Sequence, residues 1–195
     1  MEYEAQTFNI GTLDGISAKQ LEVHLGLYAG YVKHANLCRE LIAGLSKDEK
    51  NAYAVTELRR RYSFEFNGMR MHENYFEQFE GGATEIDNAG ALAKAVSEKY
   101  GDWSGFITHL KQVAGSRGIG WTVLYQDAKG GQPHVTWVGD HELGVLAGLP
   151  VIVALDMWEH AFMVDYMPSE KGKYVDAFLK NFNWKIAEER FAKAK

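Results

Sequence analysis

The sequence of 195 residues holds one cysteine and three prolines. A single cysteine, Cys38, cannot close an internal disulfide, so a disulfide-stapled secreted fold is excluded and a reducing compartment is expected. There is no linker rich in proline or serine, and no low-complexity tract or internal repeat. No stretch of about 18 uninterrupted apolar residues exists, so a membrane-spanning helix is not expected. The first residues, MEYEAQTFNIG, are acidic and lack a basic start followed by an apolar run, unlike a secretory signal. Net charge is −5 with no run of like charges and no basic stripe, which argues against nucleic-acid binding. A cytoplasmic globular protein is the expectation that remains.

What is present is a large apolar and aromatic fraction, 46% and 13%. A chain of this size and composition is expected to bury roughly 70% of the surface its unfolded form exposes. Residues 1–82 read as helical. Ser17-Ala18-Lys19-Gln20 fits a capping box opening a helix that presents Leu21, His24, Leu25, Tyr28, Val32 and Leu41 near one face, with Gly44 as its end. Ser46-Lys47-Asp48-Glu49 reads as a second box, opening a helical segment to about Tyr62, and Phe64 to Phe79 as a third segment closed by Gly81-Gly82. Residues 83–195 mix both periods. Leu92–Tyr100 and Trp103–Val113 read as helices, the latter capped by Asp102, and Ile119–Gln126 with Pro133–Val138 read as a hairpin around Gly130-Gly131. Leu149–Leu155 reads as a buried strand, with helix resuming at Met157. The expected fold is α+β, a helical N-terminal domain (1–82) docked on a smaller α+β domain (83–195).

Chemistry is sought first at the seven histidines. In Asp156-Met157-Trp158-Glu159-His160 a carboxylate at a strand end precedes an imidazole by four residues. The two can converge on one ion, and one oxygen and one nitrogen donor suit iron, manganese or zinc better than calcium. Alternatively Asp156 caps the helix expected after it. His24 and His72 lie on apolar helix faces, where a lone histidine is ordinarily a satisfied core residue. Three buried imidazoles and a carboxylate would, however, each need a partner, and one ion would serve all four. Gly68, one turn before His72, either permits close helix packing or leaves room for another group beside His72.

These residues resemble the iron/manganese superoxide dismutases over nearly the whole chain. The similarity rests on Asp156-Met157-Trp158-Glu159-His160-Ala161-Phe162, on Gly118-Ile119-Gly120-Trp121-Thr122, on Phe66-Asn67-Gly68 leading to His72, and on Asn183-Trp184. It implies a long-helix hairpin packed on a three-stranded antiparallel sheet with helices, and one manganese or iron ion per subunit between them. The ligands would be His24, His72, Asp156 and His160, with a water or hydroxide as fifth. Superoxide would be the substrate, and the subunits would pair as a homodimer or a dimer of dimers. Trp121 and Trp158 would line the site and Tyr31 would stand near the substrate channel. Glu159 would reach His160 of the partner subunit.

The family usually places a glutamine against the bound solvent, either four residues before the second histidine or in a loop between strands. Here those places hold Gly68 and His141, so His141 is expected to fill the space at Gly68 and bond the solvent. Tyr28 stands where the family usually has a histidine, and Met163 where it has a second aromatic, so both are assigned to the dimer interface, while Tyr28 is also expected beside the metal ligands, where it shares or takes the channel role of Tyr31. An arginine common after this region is absent, with Lys171 or Lys173 as substitutes, and Arg70 and Arg117 are candidate sources of positive charge at the mouth. Gly68 and Ala154-Leu155 lean towards manganese, while His141 fits either metal. Two other classes stay open: a non-catalytic scaffold of the same fold, and another non-haem metal oxidoreductase.

Overall fold

A computed structural model describes residues 2–194. The N-terminal part is a hairpin of two long helices, α1 (Ala18–Leu45) and α2 (Ala52–Glu77), joined through a short 3-10 turn, Glu49–Asn51. Ser17 caps α1 by accepting the Gln20 N–H at 3.0 Å. The other half of the expected box does not form, because the Gln20 side chain turns away to the C-terminal part. Buried positions Gln20, His24, Tyr28, Val32, Ala35 and Cys38 recur every three or four residues, and this face packs on α2 and on the turn after the sheet's last strand.

The hairpin corrects three sequence expectations. Helix α1 runs past Gly44 to Leu45, and Ser46 closes it rather than opening the next helix. Asp48 is the residue that caps the 3-10 turn, accepting from Lys50 N. The two segments expected at 46–62 and 64–79 are one helix. The polar stretch through Arg59, Arg60, Arg61 and Ser63 breaks the apolar rhythm, but these side chains face solvent and leave the backbone ladder intact.

Helices α3 (Ala91–Tyr100) and α4 (Trp103–Ala114) lead into strands β1 (Gly120–Asp127), β2 (Gln132–Gly139) and β3 (Val151–Asp156). The sheet is antiparallel in the order β2-β1-β3, with Trp121 opposite both Val138 and Asp156. β3 starts two residues later than the apolar run and ends on Asp156. No α-helix begins at Met157. The chain instead makes 3-10 turns at Glu159–Ala161 and Pro168–Glu170 before α5 (Lys171–Asn181) and α6 (Trp184–Lys193). The two parts are joined where α2 meets the edge of the sheet. Gln78, fully buried, donates to Ala154 O and accepts from Ala154 N, both at 2.7 Å. One amide thus acts as a missing strand for β3 and satisfies an edge that would otherwise be buried unpaired.

Candidate metal centre

Each of four side chains reaches the interface from its own element. α1 supplies His24, α2 supplies His72, the end of β3 supplies Asp156, and the turn after it supplies His160; one donor atom from each lies within 4.8 Å of all the others. Asp156 Oδ2 is 3.0 Å from His24 Nε2, 3.2 Å from His160 Nε2 and 3.5 Å from His72 Nε2. Its other oxygen accepts the Trp158 N–H at 2.8 Å and bends the chain so that His160 turns back. The turn-capping bond and the contacts to the imidazoles thus fall on different oxygens of one carboxylate. His160 is further held by Gln20, whose side chain donates to His160 O at 2.6 Å and accepts from Val164 N at 2.9 Å.

His72 Nδ1 is 2.6 Å from Gly68 O, and a carbonyl only accepts, so Nδ1 carries the proton. Neutral His72 then points a lone pair from Nε2 at Asp156 Oδ2 and at His160 Nε2, 3.3 Å away. Burial pushes His72 well below its usual pKa and lowers His24 as well, which keeps these imidazoles neutral. Burial alone would raise the Asp156 pKa, but the His160 and His24 imidazoles outweigh it and hold the carboxyl below the usual carboxylate range. A neutral His72 with its Nε2 lone pair directed at an ionised Asp156 is the protonation state a metal ligand pair needs. Three nitrogens and one hard oxygen suit a borderline divalent or trivalent ion.

Around the cluster the expected residues divide. Trp121 is fully buried, its ring edge-on to His72 at 5.1 Å, and its indole N–H donates to His141 Nδ1 at 2.9 Å. Trp158 stacks on His141 at 4.8 Å and on His160 at 5.5 Å, and donates to Asp140 O. These indoles pack against the His72 and His160 rings of the cluster. Tyr31 lies 5.0 Å ring to ring from His72, with its hydroxyl 2.8 Å from His141 Nε2.

The space beside Gly68 belongs to Tyr31 and not, as expected, to His141. A Cβ on Gly68 would stand 2.6 Å from Tyr31 Cδ1. The expectation that Tyr28 lies at the dimer interface also fails, although its ring does stack on His72 at 6.4 Å. It is 1% exposed, accepts from Gln6 N at 2.9 Å and donates to Glu73 at 3.1 Å, so it offers no surface to a partner subunit. Met163 is half-exposed and Glu159 exposed.

Neither lysine replaces the missing arginine: Lys171 donates to Ser116 O, and Lys173 pairs with Glu170. Arg70 is bound to Glu73 behind His72 at 2.6 Å, and Arg117 is exposed on the loop before β1. The basic side chain whose charge acts on both Tyr31 and His141 is Arg61, its guanidinium 3.8 Å above the Phe64 ring. Phe64 in turn packs edge-on to His141 at 4.6 Å. The Arg61/Phe64 spacing of three on one helix face is the sequence signal for this pair. Gln20, at one turn before His24, carries a comparable signal, being polar on an apolar stripe.

A model of the family described as iron/manganese superoxide dismutases, C-terminal domain, matches residues 88–190. A protein of Aquifex pyrophilus named as an iron superoxide dismutase is 34% identical over 188 residues, covering 93% of this chain and 87% of the relative. One of Cupriavidus metallidurans, also named for iron, is 33% identical over 186 residues, covering 93% and 91%. One of Corynebacterium diphtheriae, named for manganese, is 34% identical over 143 residues, covering 72% and 70%.

Proposed function

The chain belongs to the iron/manganese superoxide dismutase family, and from that premise we propose that His24, His72, Asp156 and His160 hold one iron or manganese ion at which two superoxide anions and two protons become dioxygen and hydrogen peroxide. When bound, the ion supplies a one-electron couple, taking an electron from one superoxide and giving it to the next. The chain's residues do the rest. Asp156 would offset part of the positive charge, burial favours the neutral forms of His24 and His72, and Trp121 and Trp158 pack against the His72 and His160 rings. Tyr31 and His141 form the hydrogen-bonded pair next to His72. The observation that carries this reading is the His72 Nε2 lone pair aimed at two other ligand-type atoms, a buried arrangement that a cation satisfies.

Gly68 favours manganese, His141 is compatible with either ion, and relatives named for iron and for manganese both match this chain. We assign the enzyme to pairs of chains meeting near Glu159 and Met163, because Met163, Val164 and Met167 leave an apolar stretch exposed beside His160. Cys38, lone and buried, suits a cytoplasmic setting.

Metal-free protein should be reconstituted with iron, manganese or zinc separately, and superoxide consumption followed. Dismutation with iron, manganese or both is expected, with none for the metal-free and zinc forms, since zinc has no redox couple. The same preparations should run at twice the chain mass in light scattering. Stoichiometric iron or manganese without dismutation would favour another non-haem oxidoreductase, and failure to retain any metal would favour a scaffold.

A further inference from the structure

We propose that Gln20 is a positioning residue for the ligand His160: its side-chain amide, inserted into the turn that follows Asp156, keeps that turn from closing as an α-helix and fixes His160 against His24. This rests on the dismutase reading and adds to it a residue that acts only through His160.

In a closed helical turn the Val164 N–H would donate to His160 O, four residues back. On either side the chain does make this bond: Met163 N–H donates to Glu159 O and Tyr166 N–H to Phe162 O, both at 2.8 Å. At Val164 the pattern is interrupted. Its N–H donates at 2.9 Å to Gln20 Oε1, and Gln20 Nε2 donates at 2.6 Å to His160 O. One amide from α1 therefore stands where a backbone hydrogen bond would, its acceptor towards the free donor and its donor towards the free acceptor. A side chain that enters the ladder in this way bends or breaks a helix. The insertion accounts for the 3-10 turn and irregular chain that stand where the sequence predicts a helix from Met157.

The amide is itself held from the α1 side. Gln20 is 1% exposed, and its backbone N–H is fixed by the Ser17 cap. Ser17 N–H donates to Asp165 at 2.6 Å, and the Tyr166 hydroxyl donates to Gly15 O. The start of α1 thus grips residues 160–166 at both ends. Gln20 lies one helical turn before His24 on the same buried face. Helix α1 therefore carries one ligand and positions the backbone of a second, and their rings stand 5.1 Å apart. Both reach Asp156 Oδ2, His24 at 3.0 Å and His160 at 3.2 Å. Without the amide, His160 O and Val164 N–H lose their partner and are free to bond each other. That closure would turn His160 relative to His24, which stays with its helix.

Two substitutions separate positioning from packing. Gln20→Met keeps the length and bulk of the side chain and loses both bonds. Gln20→Glu, once ionised, keeps an acceptor for Val164 N–H and loses the donor to His160 O. In protein loaded with ferric iron or divalent manganese, Gln20→Met should change the zero-field splitting seen by electron paramagnetic resonance. It should also weaken metal binding about tenfold, the scale for a residue that orients a ligand. Gln20→Glu should fall between it and wild type. Crystals of metal-free Gln20→Met should show Val164 N about 3 Å from His160 O. A resonance in Gln20→Met identical to that of wild type would leave Gln20 a packing residue only and overturn the assignment. Should Gln20→Met fail to fold, the Gln20→Glu resonance decides in the same way. Absence of dismutation in every loaded wild-type form would instead remove the dismutase reading, and the resonances and the crystals would still decide what Gln20 does.

Discussion

Replacing Asp156 with asparagine is expected to reduce retained iron or manganese to less than about a tenth of an ion per chain and superoxide consumption by at least about a thousandfold, while the fold survives. The two carboxylate oxygens respond differently to the change. Oδ1 accepts the Trp158 N–H, and an asparagine carbonyl oxygen can continue to do so. Oδ2 faces three imidazole nitrogens and is replaced by an amide NH2. That amide donates to the His72 lone pair, which in the metal-free wild type points at an acceptor. It therefore satisfies the empty cluster while removing the charge that attracts a cation. The metal-free variant should accordingly unfold at the same temperature as metal-free wild type or higher, and lose the upward shift that bound metal gives the wild type. Elemental analysis and thermal unfolding with and without metal provide both readings. Normal metal content in Asp156→Asn would mean that the carboxylate is not a ligand.

A second large effect is expected at Gly120, at the start of β1, with no chemistry involved. Its φ is +154°, and a Cβ there would penetrate the carbonyl oxygen of Val138 and sit 3.1 Å from Gly139 Cα. Neither neighbour is the flexible end of a side chain; both are backbone of the paired strand. Gly120 O also accepts Met157 N–H at 2.8 Å, directly beside Asp156. Gly120→Ala must separate β1 from β2 or strain the turn towards the cluster, and should cost about 4 kcal/mol, a fall of roughly 8–16 °C in Tm for a chain of this size. Gly26 in α1, with nothing within 4 Å of its Cβ position, is the control. Gly26→Ala should leave Tm unchanged or raise it, since alanine favours a helix interior by about 1 kcal/mol. Circular dichroism melts of both variants would show the contrast, and equal melts would contradict a close approach of the strands at Gly120.

Much of this architecture is legible in the sequence because the relevant signals are local or periodic. The four-residue spacing of His24, Tyr28 and Val32 identifies the buried face of α1, and a run rich in β-branched and aromatic residues followed by Gly130-Gly131 identifies the β1–β2 hairpin. The four-residue step from Asp156 to His160 points to the cluster, although the turn between them is not an α-helix. What sequence does not supply is the way separate elements compete for one space. Nothing local to Gly68 says that the occupant is Tyr31 from the facing helix and not His141 from a distant loop; that depends on the rotation of α1 against α2. The polar run at Arg59–Ser63 resembles a break because periodicity records burial, not backbone continuity. The role of Gln78 is invisible for a related reason. Its partner is a strand edge 76 residues away, and no pattern around Gln78 announces an unpaired edge. Proximity along the chain favours Arg70 and Arg117 over Arg61, but nearness in sequence to a motif is a poor measure of nearness to a site.

The central claim, that one redox ion is held by side chains from both halves of the chain, is tested most directly by X-ray absorption at the metal edge of the iron- or manganese-loaded protein. Three imidazole nitrogens and a carboxylate oxygen are expected, with one imidazole lost in His72→Ala and the carboxylate lost in any residual metal retained by Asp156→Asn. An ion surrounded only by oxygen, or a spectrum unchanged by both substitutions, would place the metal elsewhere and contradict it.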